Sequence, residues 1–235
     1  MKRDYRTWQS PSLGREMELL VFGDRGTPVV VFPTSMGRFY QWEDFGMIAH
    51  LRPRIDDGRL QLWCVDSVDG ESFYSKSIGA QDRARRHLAY DRYLTDEVVP
   101  AVRGENHDPS LELLGASFGA FHAVALATRH PGIASRTIGL SGAYDAARWL
   151  DGSQEGDAYF VNPLAFLPGL TDDRLLRPLR ETEFVIATGV DDPNVDGSRR
   201  IVACLQDKGV PATLHLWNGW SHDWPYWKEM VDTFL

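Results

Sequence analysis

Cysteine is scarce in this chain: two occur among 235 residues, too few for a disulfide scaffold or a thiolate zinc site. Cys64 falls in an expected strand and Cys204 in an expected helix, so both read as buried free thiols. No stretch approaches the roughly 20 apolar residues that span a bilayer. The basic start MKRDYRTWQS has no apolar run after it, and a soluble, unexported, cytoplasmic protein is expected. Positive charge is also short. A formal net charge of −8 gives phosphate backbones and anionic membranes nothing general to attract them, so neither nucleic acid nor membrane is an expected partner. Repeats and low-complexity blocks are missing too. With 43% hydrophobic residues, a chain of this length can bury one substantial core, and one domain over residues 1–235 is expected.

What is present is an alternation of strand-like and helix-like segments. Strands are expected over 16–23, 28–32, 60–66, 111–115, 136–142, 183–189 and 212–217, from short β-branched or apolar runs bounded by turn residues. Between them, helices are expected over 42–51, over 79–102 with an end near Pro100, over 118–129 with a stop at His130-Pro131, around Arg199 to Leu205, and over 222–235. The run Arg83, Arg85, Arg86 and His87 reads as a solvated helix face. Strands alternating with helices predict an α/β fold, a mostly parallel sheet with helices on both faces. The irregular stretch at about 143–182, rich in Trp, Phe, Pro and Leu, reads as a lid-like insertion.

The chemistry begins at Gly115-Ala116-Ser117-Phe118-Gly119. Its pattern Gly-x-Ser-x-Gly matches by chance in about one chain in ten of this size, so its placement matters more than its letters. Here an apolar strand precedes it and an amphipathic helix follows at once. A serine forced into so tight a turn presents its hydroxyl above the sheet, and the flanking glycines remove Cβ atoms that would collide there. Ser117 is therefore a candidate nucleophile, against the plainer role of a helix N-cap.

A serine hydroxyl is a poor nucleophile at neutral pH, so a histidine must take its proton and a carboxylate must orient that histidine. His222, in Trp217-Asn-Gly-Trp-Ser-His-Asp, is the one histidine between the last strand and the last helix. His122, His130 and His215 read as packing or surface residues, and Asp223 as a cap for the final helix. The acid is expected after a late strand. Asp192 is favoured, three residues past the strand-ending Gly189, with Asp191 the close competitor and Asp145 a remoter one; Asp196 reads as a helix cap.

Two N–H donors are needed for the tetrahedral intermediate. One is expected from Phe118 and the other from the turn Pro33-Thr34-Ser35-Met36-Gly37, with Ser35 and Met36 both open. Trp42, Phe45, Trp149, Trp220 and Trp224 sit in loops or helix starts that should face the strand ends, and are candidate pocket walls.

These segments together resemble the esterase D family, related to antigen 85 mycolyltransferases and S-formylglutathione hydrolases. The resemblance rests on YDRYLTDEVVPAV before the central strand, LLGASFGAFHAVALATRHP around the serine, SGAYD, and GWSHDWPYW near the end. It implies the α/β-hydrolase fold, with nucleophile, acid and base at the positions of Ser117, Asp192 and His222. Two departures stand out: Phe118-Gly119-Ala120 replaces the common Met-Gly-Gly, and Pro33-Thr34-Ser35 replaces a glycine-bearing turn. The expected activity is that of a serine esterase acting on small-molecule esters through an acyl-serine, with neither metal nor cofactor. An acyltransferase using the same triad is the nearest alternative, and a non-catalytic binding protein on the same fold a more distant one.

Overall fold

A computed structural model describes residues 1–235. Eight strands form its sheet: β1 (Arg3–Ser10), β2 (Arg15–Phe22), β3 (Thr27–Phe32), β4 (Leu60–Val65), β5 (Glu112–Ala116), β6 (Arg136–Leu140), β7 (Glu183–Gly189) and β8 (Ala212–Trp217). Their spatial order is β1-β2-β4-β3-β5-β6-β7-β8. The pairs β1/β2 and β2/β4 are antiparallel, and every pair from β4 across to β8 is parallel. This is the mostly parallel sheet of the α/β-hydrolase fold.

Apolar side chains on both faces explain why the central strands read as unbroken hydrophobic runs. Val30 and Phe32 of β3 enter the large core on one face, whereas Val29 and Val31 enter the core on the other. Strand side chains alternate, so a strand covered on both sides favours apolar residues at every position. Gln61 of β4 is such an exception and is satisfied: its Oε1 accepts hydrogen bonds from Trp63 Nε1 at 3.0 Å and Asn106 Nδ2 at 2.8 Å.

Several elements differ from expectation, each for a physical reason. β1 was not anticipated, because it is an edge strand that exposes Arg3, Tyr5, Thr7 and Gln9 on one face, carries Asp4 and Arg6 on the other, and so gives little apolar signal. The helix expected over 42–51 is two pieces, Gln41–Asp44 and Met47–Asp56, interrupted at Phe45-Gly46. The long segment runs as Ala80–Tyr93, a π-helical turn Leu94–Val98 and Val99–Glu105, which leaves Pro100 in the first turn of the last piece, where it does not break the helix. The run at 83–87 is not a solvated face. Arg85 is exposed, but His87 is 3% exposed, because it shares a face with Ala84 and Tyr90 at helical spacing and turns into the core with them. Arg86 bonds Glu71, and Arg83 pairs with Asp151.

Residues 143–182 contain a 3-10 turn (Ala146–Trp149) and short helices Asp157–Phe160, Pro163–Phe166 and Asp173–Leu179. Leu167 and Leu179 reach the large core, while Trp149, Leu150, Ala158 and Val161 pack with Phe118 and Phe121 in a separate cluster. Cys64 is buried and Cys204 half-buried, and both are free. No helix is long and apolar enough to cross a membrane.

Candidate active site

The parallel strands bring the loops that follow β3, β5, β7 and β8 to one edge of the sheet, where ligand sites of such folds lie. Ser117 joins β5 to the helix Phe118–Arg129 with φ 55° and ψ −119°, a strained conformation for a residue with a side chain. Close packing requires the flanking glycines. A Cβ on Gly115 would lie 2.1 Å from the Gly119 carbonyl carbon, and one on Gly119 would lie 2.5 Å from the Pro33 carbonyl oxygen. The Ser117 N–H donates to the Leu140 carbonyl at 2.7 Å, anchoring the turn to β6. Its hydroxyl makes no helix-cap bond and lies 3.1 Å from His222 Nε2.

The other ring nitrogen of His222, Nδ1, lies 2.8 Å from Asp192 Oδ2. Asp192 is 1% exposed, and its second oxygen accepts the Asn194 N–H at 2.7 Å. Burial, and then the charge of Asp192, raise the neighbouring Tyr144 phenol above its ordinary pKa. Asp191 points to solvent. The carboxylate of Asp145 is engaged by the Ala147 N–H, Asn162 and Arg200, and Asp196 lies in the first turn of Val195–Asp207 with Arg199. Asp223 caps the last helix through the Trp224 N–H.

The loop that carries His222 is held from several sides. Val190 and Asp191 donate their N–H groups to the Trp217 and Gly219 carbonyls at 2.9 and 3.0 Å, joining the ends of β7 and β8. Gly189 lets them meet, since a Cβ there would lie 2.3 Å from the carbonyl oxygens of Gly219 and Trp220. Ser141 Oγ donates to the Ser221 carbonyl and accepts from Trp227 Nε1, both at 3.0 Å.

In the turn after β3, the backbone N–H groups have separate fates. Thr34 donates to Gln41 Oε1 at 2.8 Å, Gly37 to the Thr34 carbonyl at 2.9 Å, and Met36 to Asp69 Oδ2 at 2.9 Å. The N–H groups of Ser35 and Phe118 have no protein acceptor. Of the aromatic candidates, Trp42 is buried and donates to the Phe32 carbonyl, whereas Phe45 is exposed and stacks on Trp224 at 4.7 Å. Trp149 lies 4.6 Å from Phe118, nearly buried. Trp220 is 51% exposed, with its ring 5.6 Å from that of His222.

Sequence reasoning did not single out Asp69 or Tyr74, and it read His122, which is buried among aromatic rings, as a packing or surface residue. Tyr74 donates to Ser35 Oγ at 2.7 Å, and Asp69 lies 2.9 Å from His122 Nε2. Asp69 and Tyr74 belong to the polar loop after β4, whose position at the same sheet edge was the one signal available. No group of three or more His, Cys, Asp or Glu residues is placed to hold a metal ion.

The comparisons agree with this architecture. A family model described as "Esterase: Putative esterase" matches residues 10–233. No curated protein matches the chain by sequence. Among solved structures, a ferulic acid esterase superposes with a TM-score of 0.75 at 14% identity, covering 100% of this chain and 96% of the other. An S-formylglutathione hydrolase from Agrobacterium tumefaciens gives 0.73 at 14% identity, with 99% and 91% covered. Mycobacterium tuberculosis MPT51 gives 0.71 at 14% identity, with 99% and 96% covered. The family match spans nearly the whole length, and the chain belongs to this family of esterases, carboxylic ester hydrolases with the α/β-hydrolase fold.

Proposed function

We propose that Ser117, His222 and Asp192 form a catalytic triad that hydrolyses small-molecule carboxylic esters through an acyl-serine. One observation carries the reading: a single imidazole lies 3.1 Å from the Ser117 hydroxyl and 2.8 Å from a buried carboxylate. In the tautomer that fits these partners, His222 Nδ1–H donates to Asp192 and Nε2 accepts from Ser117. Ser117 Oγ attacks the ester carbonyl as His222 takes its proton. The tetrahedral oxyanion is stabilised by the N–H groups of Phe118 and Ser35, because the Met36 N–H is already donated to Asp69. His222 then protonates the departing alkoxide, the acyl-serine remains, and water repeats the sequence to release the acid and restore Ser117. Trp220 and Phe45 present exposed apolar surface for the substrate, and residues 143–182 cover one flank through Trp149. No cofactor enters this scheme.

Intact-mass analysis after treatment with a fluorophosphonate tests it. One adduct is expected on the wild type and none on Ser117→Ala, with p-nitrophenyl ester hydrolysis lost in parallel. An unreactive wild type, or an adduct that persists in Ser117→Ala, refutes the assignment.

A further inference from the structure

We propose that Asp69 is a positioning residue for the oxyanion site, tying the 33–37 turn to the nucleophile helix through Met36 on one side and His122 on the other. The proposal rests on the triad reading above and deepens it by naming what fixes the spacing of the two N–H donors. Asp69 is buried, and its carboxylate pairs with His122 rather than with a lysine or arginine. Its oxygens divide their hydrogen bonds between two segments: Oδ2 accepts the Met36 N–H at 2.9 Å, and Oδ1 lies 2.9 Å from His122 Nε2. A carboxylate so deep must be hydrogen-bonded to persist. Its two partners belong to the two segments whose free N–H groups, on Ser35 and Phe118, serve the oxyanion.

The surroundings give the arrangement one sense. His122 Nδ1 has no partner and Nε2 faces the carboxylate, so in the arrangement that fits Nε2–H donates to Asp69. The His122 and Phe118 rings are 4.8 Å apart, which couples the tether to the first residue of the nucleophile helix. On the opposite side, the helix start already touches the turn where Gly119 meets the Pro33 carbonyl. Asp69 closes the second side. It also holds Met36 at φ 57°, a conformation that a residue with a side chain keeps only when its neighbours fix it. Met36 is thereby withdrawn as a donor, and the Ser35 N–H is left free.

The test compares Asp69→Ala with Asp69→Asn. Each variant is measured for kcat and KM on a p-nitrophenyl ester, affinity for a trifluoromethyl ketone that adds to serine as a tetrahedral adduct, and unfolding midpoint. Loss of the Met36 anchor in Asp69→Ala is expected to lower kcat by about 10²-fold, the size seen when an oxyanion donor is lost. KM stays within about threefold, and ketone affinity falls in step with kcat, as for an interaction made in the transition state. Asp69→Asn keeps an oxygen for the Met36 N–H and is expected to stay within about fivefold of wild type. If Asp69→Ala does not fold, His122→Phe removes one tether and keeps the ring packing, with kcat expected to fall about tenfold. A folded variant with a lower unfolding midpoint but unchanged kcat and ketone affinity overturns the proposal and leaves the triad standing. A wild type that takes no phosphonate at Ser117 overturns both.

Discussion

Burial separates two adjacent carboxylates that the sequence leaves in competition. Asp191 is exposed and its side chain makes no hydrogen bond, whereas Asp192 is enclosed and bonds both His222 and the Asn194 N–H. An oriented carboxylate stabilises the imidazolium that forms when serine loses its proton, and the corresponding amide stabilises the wrong tautomer. Asp192→Asn is therefore expected to lower kcat by about 10³ to 10⁴-fold, and Asp191→Asn by less than about twofold, a surface effect. Steady-state kinetics of both variants, with circular dichroism as a folding control, decide the matter; comparable losses would leave Asp192 without a special role. At this scale the sequence marked Ser117, Asp192 and His222 because each follows the end of an apolar strand, and the structure brings the three side chains within hydrogen-bond distance. Asp69 was not marked, because Val68-Asp69-Gly70-Glu71 reads as a surface turn and its partners Met36 and His122 come from distant parts of the chain. His87 was misread for a related reason: three arginines beside it suggest solvent, while the helical repeat carries its ring inward.

At the scale of elements, apolar runs revealed β2 to β8, since each is covered by side-chain packing on at least one face. β1, paired along its length with β2, adds polar contacts that were invisible in the sequence. Glu97, in the π-helical turn, accepts from Trp8 Nε1 at 2.7 Å, Ser10 Oγ at 2.8 Å and the Ser12 N–H at 3.1 Å. Burial works against its charge, but these bonds outweigh it and lower its pKa. The join between β7 and β8 carries a sharper consequence for the site. In Gly189→Ala the new methyl would sit 2.3 Å from two carbonyl oxygens of the His222 loop, so that loop must shift. Overpacking of this kind costs about 1–3 kcal/mol of stability, whereas a displacement of about 1 Å in a catalytic group can cost about 10²-fold in rate. Gly189→Ala should remain mostly folded by circular dichroism and lose about 10²-fold in kcat. Wild-type turnover in this variant would show that the loop does not depend on the close approach.

Over the whole molecule, 14% identity coexists with TM-scores above 0.7, because this fold asks of its sequence mainly an apolar pattern and a few fixed turns. Within that tolerance, the polar groups enclosed between helices and sheet make stability depend on pH. His87 lies against His122, Phe73, Tyr90 and Phe121, with Asp91 and Arg129 near enough to act on its charge. Burial, followed by the influence of His122, lowers its pKa well below the ordinary value, and the opposing attraction of Asp91 does not offset this. Below about pH 6.5 the unfolded chain therefore takes up a proton that the folded chain refuses. Stability from this residue is complete above that pH and declines as pH falls toward the depressed folded value, at up to about 1.4 kcal/mol per pH unit. Between pH 7 and pH 5 the wild type is expected to lose stability through His87. His87→Phe, which cannot take up a proton, should lose correspondingly less over the same interval, whatever its stability at pH 7. Urea unfolding of both proteins at the two pH values reads the difference directly, and equal losses would place the acid sensitivity elsewhere in the core.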